Sequence, residues 1–417
     1  MNADFSQKFR DNIFQRSKQT FEQNSSSVQT YRELALLLLS DSMSPLTSAN
    51  SVKLLINGEE KFPEVLKALQ TAKRHIHIEY YIFEEGETGT AIEKVLIEKA
   101  SQGVEVRFIY DDFGSRSIRK KMARRLQKAG VKVFPFYKIT FRPLSNRLNY
   151  RNHRKIIVID GSIGFVGGIN VSDRYVNNNH SSNKLFWRDT HLRIDGPGVQ
   201  YLQYLFLCDW NFCAQEHLQP DEVFFPQPAS LSVNGNKLVQ IAASGPDSDS
   251  PTILYSLLQA IHLAEKEILI TTPYFIPGES ILDALITAAL GGLSVKLLVP
   301  GISDSALVNA AAHSYYDGLL KAGVQIYLYQ KGFVHAKTLV IDRKLAIIGT
   351  ANMDTRSFDL NFEVNAIVYD EEQANELANV FELDIKDAEK IDATSWMNRS
   401  RLKQLMEKTA RLVSPLL

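Results

Sequence analysis

Asn149 to Asn170 reads "NYRNHRKIIVIDGSIGFVGGIN", and Val334 to Asn352 reads "VHAKTLVIDRKLAIIGTAN". The first places His153 and Lys155 two apart, then Asp160, Gly167 and Asn170; the second places His335, Lys337, Asp342, Gly349 and Asn352 at the same intervals. Residues two apart on a strand project to one face, so each histidine shares a face with its lysine. The apolar runs that follow, "IIVI" and "TLVI", read as buried strand, and each aspartate ends its strand. Gly167-Gly168 and Gly349-Thr350 then give the backbone room for a tight path. A single histidine at a strand entrance is an ordinary structural residue. The same five positions, repeated at one spacing, are more than packing requires.

Outward from these segments the two halves run in parallel. "VLKALQTAKRHIHIEYYIF" corresponds to "LYSLLQAIHLAEKEILITTPYFI", so that Ala72, Ile76 and Ile78 match Ala264, Ile268 and Ile270. A helix and a strand follow in each, "AIEKVLIEKASQG" with "VEVRFIYD", and "ILDALITAALGG" with "LSVKLLVPG". Next come "LQKAGVKVFPFY" and "LLKAGVQIYLYQ", each a helix, a glycine stop and a strand. Alternating helices and β-branched strands predict an α/β fold of two similar domains, each a sheet flanked by helices. The boundaries fall at 1–45 for a helical lead-in, 46–235 for the first domain and 236–417 for the second. The join lies near Asn234 to Ser250, where turn residues surround one short strand. In the tail, Leu402, Leu405 and Leu412 form a helical stripe whose expected role is core packing.

Composition sets the class. With 45% hydrophobic and 23% charged residues in 417, the chain is a folded globular protein large enough for two cores. Cys208 and Cys213 form no disulfide framework and read as packing residues of a reducing compartment. The start shows no signal peptide. "LALLLL", Leu34 to Leu39, falls far short of the roughly 20 apolar residues of a membrane span and reads as a helix face or buried helix. The net charge is zero, yet Phe113 to Ile159 carries 14 Lys and Arg and no Asp or Glu, against 33 basic and 47 acidic residues elsewhere. Such segregation points to an anionic partner at one face, Arg119, Lys120, Arg124 and Arg125 included; its plainer reading is a solvated helix face.

Two histidines, two lysines and two asparagines, without thiols or a carboxylate cluster, do not make a metal site. They suit an anionic tetrahedral group. Ammonium and amide donors neutralise the non-bridging oxygens of a phosphate. One imidazole can attack phosphorus while the other protonates the leaving alkoxide and later deprotonates the acceptor.

The pattern HxK, four residues, D, six residues, GxxN, present twice, resembles the phospholipase D superfamily. "RNHRKIIVIDGSIGFVGGIN", "WRDTHLRIDGPGV", "GFVHAKTLVIDRKLAIIGTANMDTRSFDLNFEVNA" and the terminal "LVSPLL" are most similar to bacterial cardiolipin synthases, over about residues 50–417. The resemblance implies two pseudo-twofold-related phospholipase D-like domains, each a mixed sheet flanked by helices, sharing one active site. It implies that two phosphatidylglycerol molecules give cardiolipin and glycerol through a phosphatidyl-histidine, with no metal or cofactor. His153, Lys155, Asp160, His335, Lys337 and Asp342 are then catalytic, with His153 the nucleophile and His335 the general acid/base. Asn170, Asn352, Asp189, Glu363 and Ser357 bind phosphate or support the histidines. The implied partners are phosphatidylglycerol and an anionic membrane surface, not nucleic acid; the oligomeric state stays open. The implied place is the cytoplasmic face of a bacterial cytoplasmic membrane. The membrane-spanning helices usual at the start of that family have no counterpart here. The chain is thus either part of a longer product or attached peripherally, through its basic run and apolar loops such as "YKITFRPLSNRLNY" and "VFFPQPASL". The alternatives are a lipid hydrolase or other phosphatidyltransferase, a phosphodiester nuclease, and a non-catalytic binder of anionic lipid.

Overall fold

The computed structural model describes residues 7–24, 28–137, 149–177, 185–214, 216–227 and 235–413. Parts of both apolar loops named above, 138–148 and 228–231, lie outside the described residues.

In the first half the strands His75–Tyr80, Glu105–Asp111 and Lys132–Phe136 run parallel, joined by helical crossovers. Lys155–Ile159, Ile163–Gly167 and Thr190–Asp195 then add antiparallel, and Thr47–Ile56 closes the half. The second half repeats this order. Glu267–Thr271, Ser294–Pro300 and Gln325–Tyr329 are parallel, followed antiparallel by Thr338–Ile341, Leu345–Gly349, Asn361–Val368 and Lys237–Ser244. Each half is therefore a mixed sheet, and the two merge into one sheet, of sixteen strands among the described residues. The seam is the antiparallel pair Thr47–Ile56 and Lys237–Ser244, where Thr47 faces Val239 and its Oγ1 donates to the Val239 carbonyl at 2.8 Å. These two strands occupy equivalent places in the two halves, so a pseudo-twofold axis passes between them. The strand expected near the join is thus not a linker but half of this seam.

The continuous apolar runs follow from burial on both faces of the sheet. All five residues of Lys155–Ile159 are buried. Ile157 and Ile159 face a core of the first lobe, with Ile78, Phe108 and Leu96. Ile156 and Val158 face a core common to both lobes, with Leu192, Val340, Ile348 and Val364. That shared core fixes one lobe against the other.

Three expectations change against the structure. "LALLLL" is the apolar face of the helix Arg32–Ser42, with Leu36 left exposed, and that face belongs to the second lobe: Leu34, Ala35 and Leu38 pack with Ile253, Leu257 and Ala260. The C-terminal stripe is not core, because Leu402, Leu405 and Leu412 are 69%, 62% and 81% exposed on the helix Arg401–Val413. The basic run is partly neutralised by acidic residues that precede it in sequence: Arg119 pairs with Asp112 at 2.6 Å, and Arg125 with Glu85 and Glu93 at 2.6 and 2.7 Å. No helix among the described residues is long and apolar enough to cross a membrane.

Candidate active site

Each motif histidine is held by the opposite lobe. The short strand Arg151–Asn152 lies parallel to Asn361–Phe362, and the His153 N–H donates to the Phe362 carbonyl at 3.0 Å. Gly332–Val334 lies parallel to Phe186–Arg188, and the His335 N–H donates to the Arg188 carbonyl at 2.7 Å. The residue after each acceptor is a fully buried carboxylate. His153 Nδ1 lies 2.9 Å from both oxygens of Glu363, and His335 Nδ1 lies 2.7 Å from Asp189 Oδ2. A neutral imidazole facing a carboxylate carries its proton on Nδ1 and leaves Nε2 bare. Burial holds both histidines below their ordinary pKa, against the upward pull of their carboxylates; His335, which also has Lys337 beside it, is at about 3. Both rings are therefore neutral near pH 7.

The lysines lie beneath the histidines. Lys155 Nζ donates to the His153 carbonyl at 2.6 Å, and Lys337 Nζ donates to the His335 carbonyl and lies 3.0 Å from His335 Nδ1. Burial lowers Lys155 to about 7, with the Lys337 ammonium adding to the fall, and burial alone lowers Lys337 to about 8 against the pull of nearby carboxylates. The sequence places His and Lys on one face, and the structure adds that the ammonium groups are nearly dry. A phosphate brought to this floor would restore their charge.

The two supporting carboxylates differ in setting. Glu363 accepts hydrogen bonds from Thr350 Oγ1 and, at 3.2 Å, from Asn361 Nδ2. Burial pushes its acid upward, but His153 and Lys155 prevail and keep it below the usual range. In the other motif Gly168 stands where Thr350 does, because any Cβ there would come within 2.2 Å of Asp189 Oδ1. Asn170 accepts from the Ile82 N–H at 3.2 Å and donates to Tyr175 OH at 2.8 Å. Asn352 donates to Asp354 at 3.0 Å, while its Oδ1 is buried without a partner. Ser357 does not line the cleft; its Oγ accepts the Asn352 N–H at 3.1 Å and so fixes that loop.

Asp160 and Asp342, expected among the catalytic residues, stand at the far ends of their strands, one strand length from the histidines. Asp160 accepts the backbone N–H groups of Lys73, Arg74 and His75 at 2.8–2.9 Å, and Asp342 those of Glu265, Lys266 and Glu267 at 2.7–2.8 Å. Both adopt left-handed φ, 50° and 52°, which aspartate tolerates. Each carboxylate holds a turn, and neither lines the cleft where the histidines open.

His153, His335, Asn170 and Asn352 open together onto a cleft of about 310 Å³ between the lobes. Several of its walls are not marked by the motif. Tyr81 meets the His153 ring edge-on with centroids 5.0 Å apart, and Trp187 lies 5.5 Å from the His335 ring. Arg151, Arg174 and Arg356 supply positive charge at the rim. Tyr274 OH donates to Asp304 at 2.7 Å on the second-lobe side. Trp187 is the first residue of the "WRD" segment and so had a local signal; Tyr274 and Asp304 come from loops without one. Phe333, just before the second motif, packs 4.9 Å from Trp187. A second cavity, about 380 Å³ and lined by Arg154, Asp209 and Asp247, contains no motif histidine or lysine.

Comparisons with known proteins agree with this geometry. The family described as cardiolipin synthase, PLD-like domain, matches twice, at 65–192 and 257–385, once per lobe. The chain is 42% identical to the major cardiolipin synthase of Bacillus subtilis (strain 168) over 398 residues, 95% of this chain and 82% of that one. It is 45% identical to a cardiolipin synthase of Geobacillus thermodenitrificans (strain NG80-2) over 373 residues, 89% of this chain and 74% of that one. In fold it resembles the phosphatidylserine synthase of Haemophilus influenzae Rd KW20, with TM-score 0.67 at 14% identity over 92% of this chain and all of the other. A duplicated lobe with one histidine from each half at a single cleft defines an enzyme of the phospholipase D type, built for phosphatidyl transfer. The chain belongs to the cardiolipin synthase family.

Proposed function

We propose that the enzyme joins two phosphatidylglycerol molecules into cardiolipin and glycerol, in two displacements at His153 and His335. The observation that carries this reading is the pair of neutral imidazoles, each backed by a carboxylate of the other lobe, opening on one cleft. In the first step His153 Nε2 attacks phosphorus, the P–O bond to the headgroup glycerol breaks, and the departing alkoxide takes a proton from His335. His335 enters that step protonated, because a bound phosphate anion raises the pKa that burial depresses. In the second step His335 removes the proton from a hydroxyl of another phosphatidylglycerol, whose oxygen displaces His153 from phosphorus. Glu363, ionised and touching Nδ1, stabilises the positive charge that the phosphatidylated imidazole carries.

Lys155 and Lys337 recharge as the phosphate arrives, with Asn170 and Asn352 beside it. The rim arginines suit an anionic headgroup, and Tyr274 and Asp304 offer hydrogen bonds to glycerol hydroxyls. The two lobes, 46–235 and 236–417, each bring one motif, and within the lead-in 1–45 the helix Arg32–Ser42 packs on the second. A cleft of about 310 Å³ takes a headgroup and leaves diacyl chains outside, so the substrates come from a lipid surface. Water is excluded by the aromatic walls, not outcompeted by nucleophilicity.

Vesicles of labelled phosphatidylglycerol should yield cardiolipin and free glycerol, and added glycerol should drive the reaction back. Phosphatidic acid as the main product, without reversal, would make the enzyme a lipid hydrolase. With a phosphatidyl nitrophenyl ester, whose leaving group needs no proton, the His335→Ala variant should give one burst of nitrophenolate and retain label on His153. A burst from the His153→Ala variant instead would exchange the two roles.

A further inference from the structure

The helix Arg401–Val413 is amphipathic, but its polar side faces the protein. Glu407 is 2% exposed and accepts from Arg399 Nε and Nη2 at 2.9 and 2.6 Å; His313 Nδ1 lies 3.5 Å away. Ala410, on the same side, is also buried against the second lobe. Just ahead of the helix, Trp396 Nε1 donates to Asp317 at 2.9 Å and Arg399 pairs with the same carboxylate at 2.8 Å. These buried ionic contacts fix the rotation of the helix about its axis.

What points outward is apolar. Leu402, Leu405, Met406 and Leu412 are 69%, 62%, 64% and 81% exposed. At about 100° per residue they fall in one sector of roughly 120° that also holds Thr409; Glu407 lies opposite, and Ala410 just beyond the Met406 edge. Arg401 and Lys408 border one edge of that sector and Lys403 the other, all exposed. A locked helix that shows four large apolar side chains between basic borders is built for an interface between water and an anionic apolar phase.

We propose that this face is the surface by which the enzyme docks on an anionic lipid bilayer. The helix lies flat, its four apolar side chains reach the acyl boundary, and Arg401, Lys403 and Lys408 stand among the phosphates. The proposal rests on the lipid-substrate reading above, since a headgroup-sized cleft must open where the acyl chains can remain in a bilayer. Position supports it. Arg399 meets Asp317 and Glu407 meets His313, so the helix runs antiparallel to Ala306–Ala322. Its C-terminal end therefore points toward the start of that helix, where Asp304 and Val308 line the cleft. Ile302 and Leu307, 42% and 47% exposed, flank those two cleft residues in the chain.

The test pairs vesicle flotation with turnover, using the whole chain. Against phosphatidylglycerol–phosphatidylcholine vesicles, Leu405→Glu/Met406→Glu should lower the bound fraction at least tenfold without change in Tm. Its turnover of dispersed short-chain phosphatidylglycerol should equal that of the unaltered enzyme. Arg401→Ser/Lys403→Ser/Lys408→Ser should lose binding to anionic vesicles at low salt, while binding to pure phosphatidylcholine stays weak throughout. Equal vesicle binding by the Glu variant overturns the proposal. So does a dimer that this variant splits while its vesicle binding is unchanged, which would assign the face to a second copy. Absence of short-chain turnover in the unaltered enzyme would instead refute the functional reading, and flotation would still decide the docking.

Discussion

At His153 and His335 the same chemistry is built twice from different parts. Glu363 reaches its histidine with a longer side chain and is steadied by Thr350, whereas Asp189 is shorter and needs the space that Gly168 leaves. Beneath both, burial makes the lysines weak bases, about 7 for Lys155 and about 8 for Lys337. The sign follows directly. A lysine whose pKa is lowered loses its proton as pH rises through that value, and an uncharged amine cannot neutralise phosphate. Because kcat/KM reports the free enzyme and both lysines must be charged, it should fall from about pH 7, by up to about tenfold per pH unit to about pH 8 and more steeply above it, toward a hundredfold. A bound phosphate diester holds both ammonium groups charged, so kcat should hold to a higher pH. Superimposable alkaline limbs for kcat and kcat/KM, measured on phosphatidylglycerol in mixed micelles, would contradict this account of the lysines.

At the level of elements, the repeated aspartates show how a motif can mislead about role. Asp160 and Asp342 recur in the same pattern as the histidines, but the strand between carries them to its other end. There each carboxylate gathers three backbone N–H groups where a helix turns into a strand. Asp160→Ala removes that acceptor and places alanine at a φ of 50°, so it should cost about 2–4 kcal/mol. Asp160→Asn keeps an acceptor and a residue tolerant of that φ, and should cost about half as much or less. Both should leave kcat at low temperature within about twofold of the unaltered enzyme. Thermal unfolding and turnover measured together decide the matter; a hundredfold fall in kcat with Tm unchanged would restore the aspartate to the chemistry.

Over the whole molecule, the continuous sheet and the common core put the end of one lobe's strands against the other's, and this creates the crossed pairs. Glu363 should therefore govern His153, and Asp189 should govern His335. Each carboxylate raises the pKa of the ring it touches, so its loss should move that ring further down. With nitrogen-labelled histidine, Glu363→Gln should displace the His153 titration and leave His335 nearly in place, and Asp189→Asn should do the reverse. Shifts confined to the histidine of the same lobe would refute the crossed arrangement. The duplication, the α/β class and the His–Lys pairs on one strand face were legible from residues alone, because these rest on periodicity and on spacing within a few residues. The sequence also marked Asp189 and Glu363, through resemblance, without saying which histidine each serves. Only the tertiary structure decided that, since the partners are 146 and 210 residues apart. It likewise decided that the lead-in helix covers the second lobe, and that the C-terminal leucines face outward because Glu407 takes the inward side. A helical stripe defines a face, but what that face meets depends on a neighbour brought from elsewhere in the chain. Here the neighbour, Ala306–Ala322, offers His313 and Asp317, and buried charge turns the leucines to the outside.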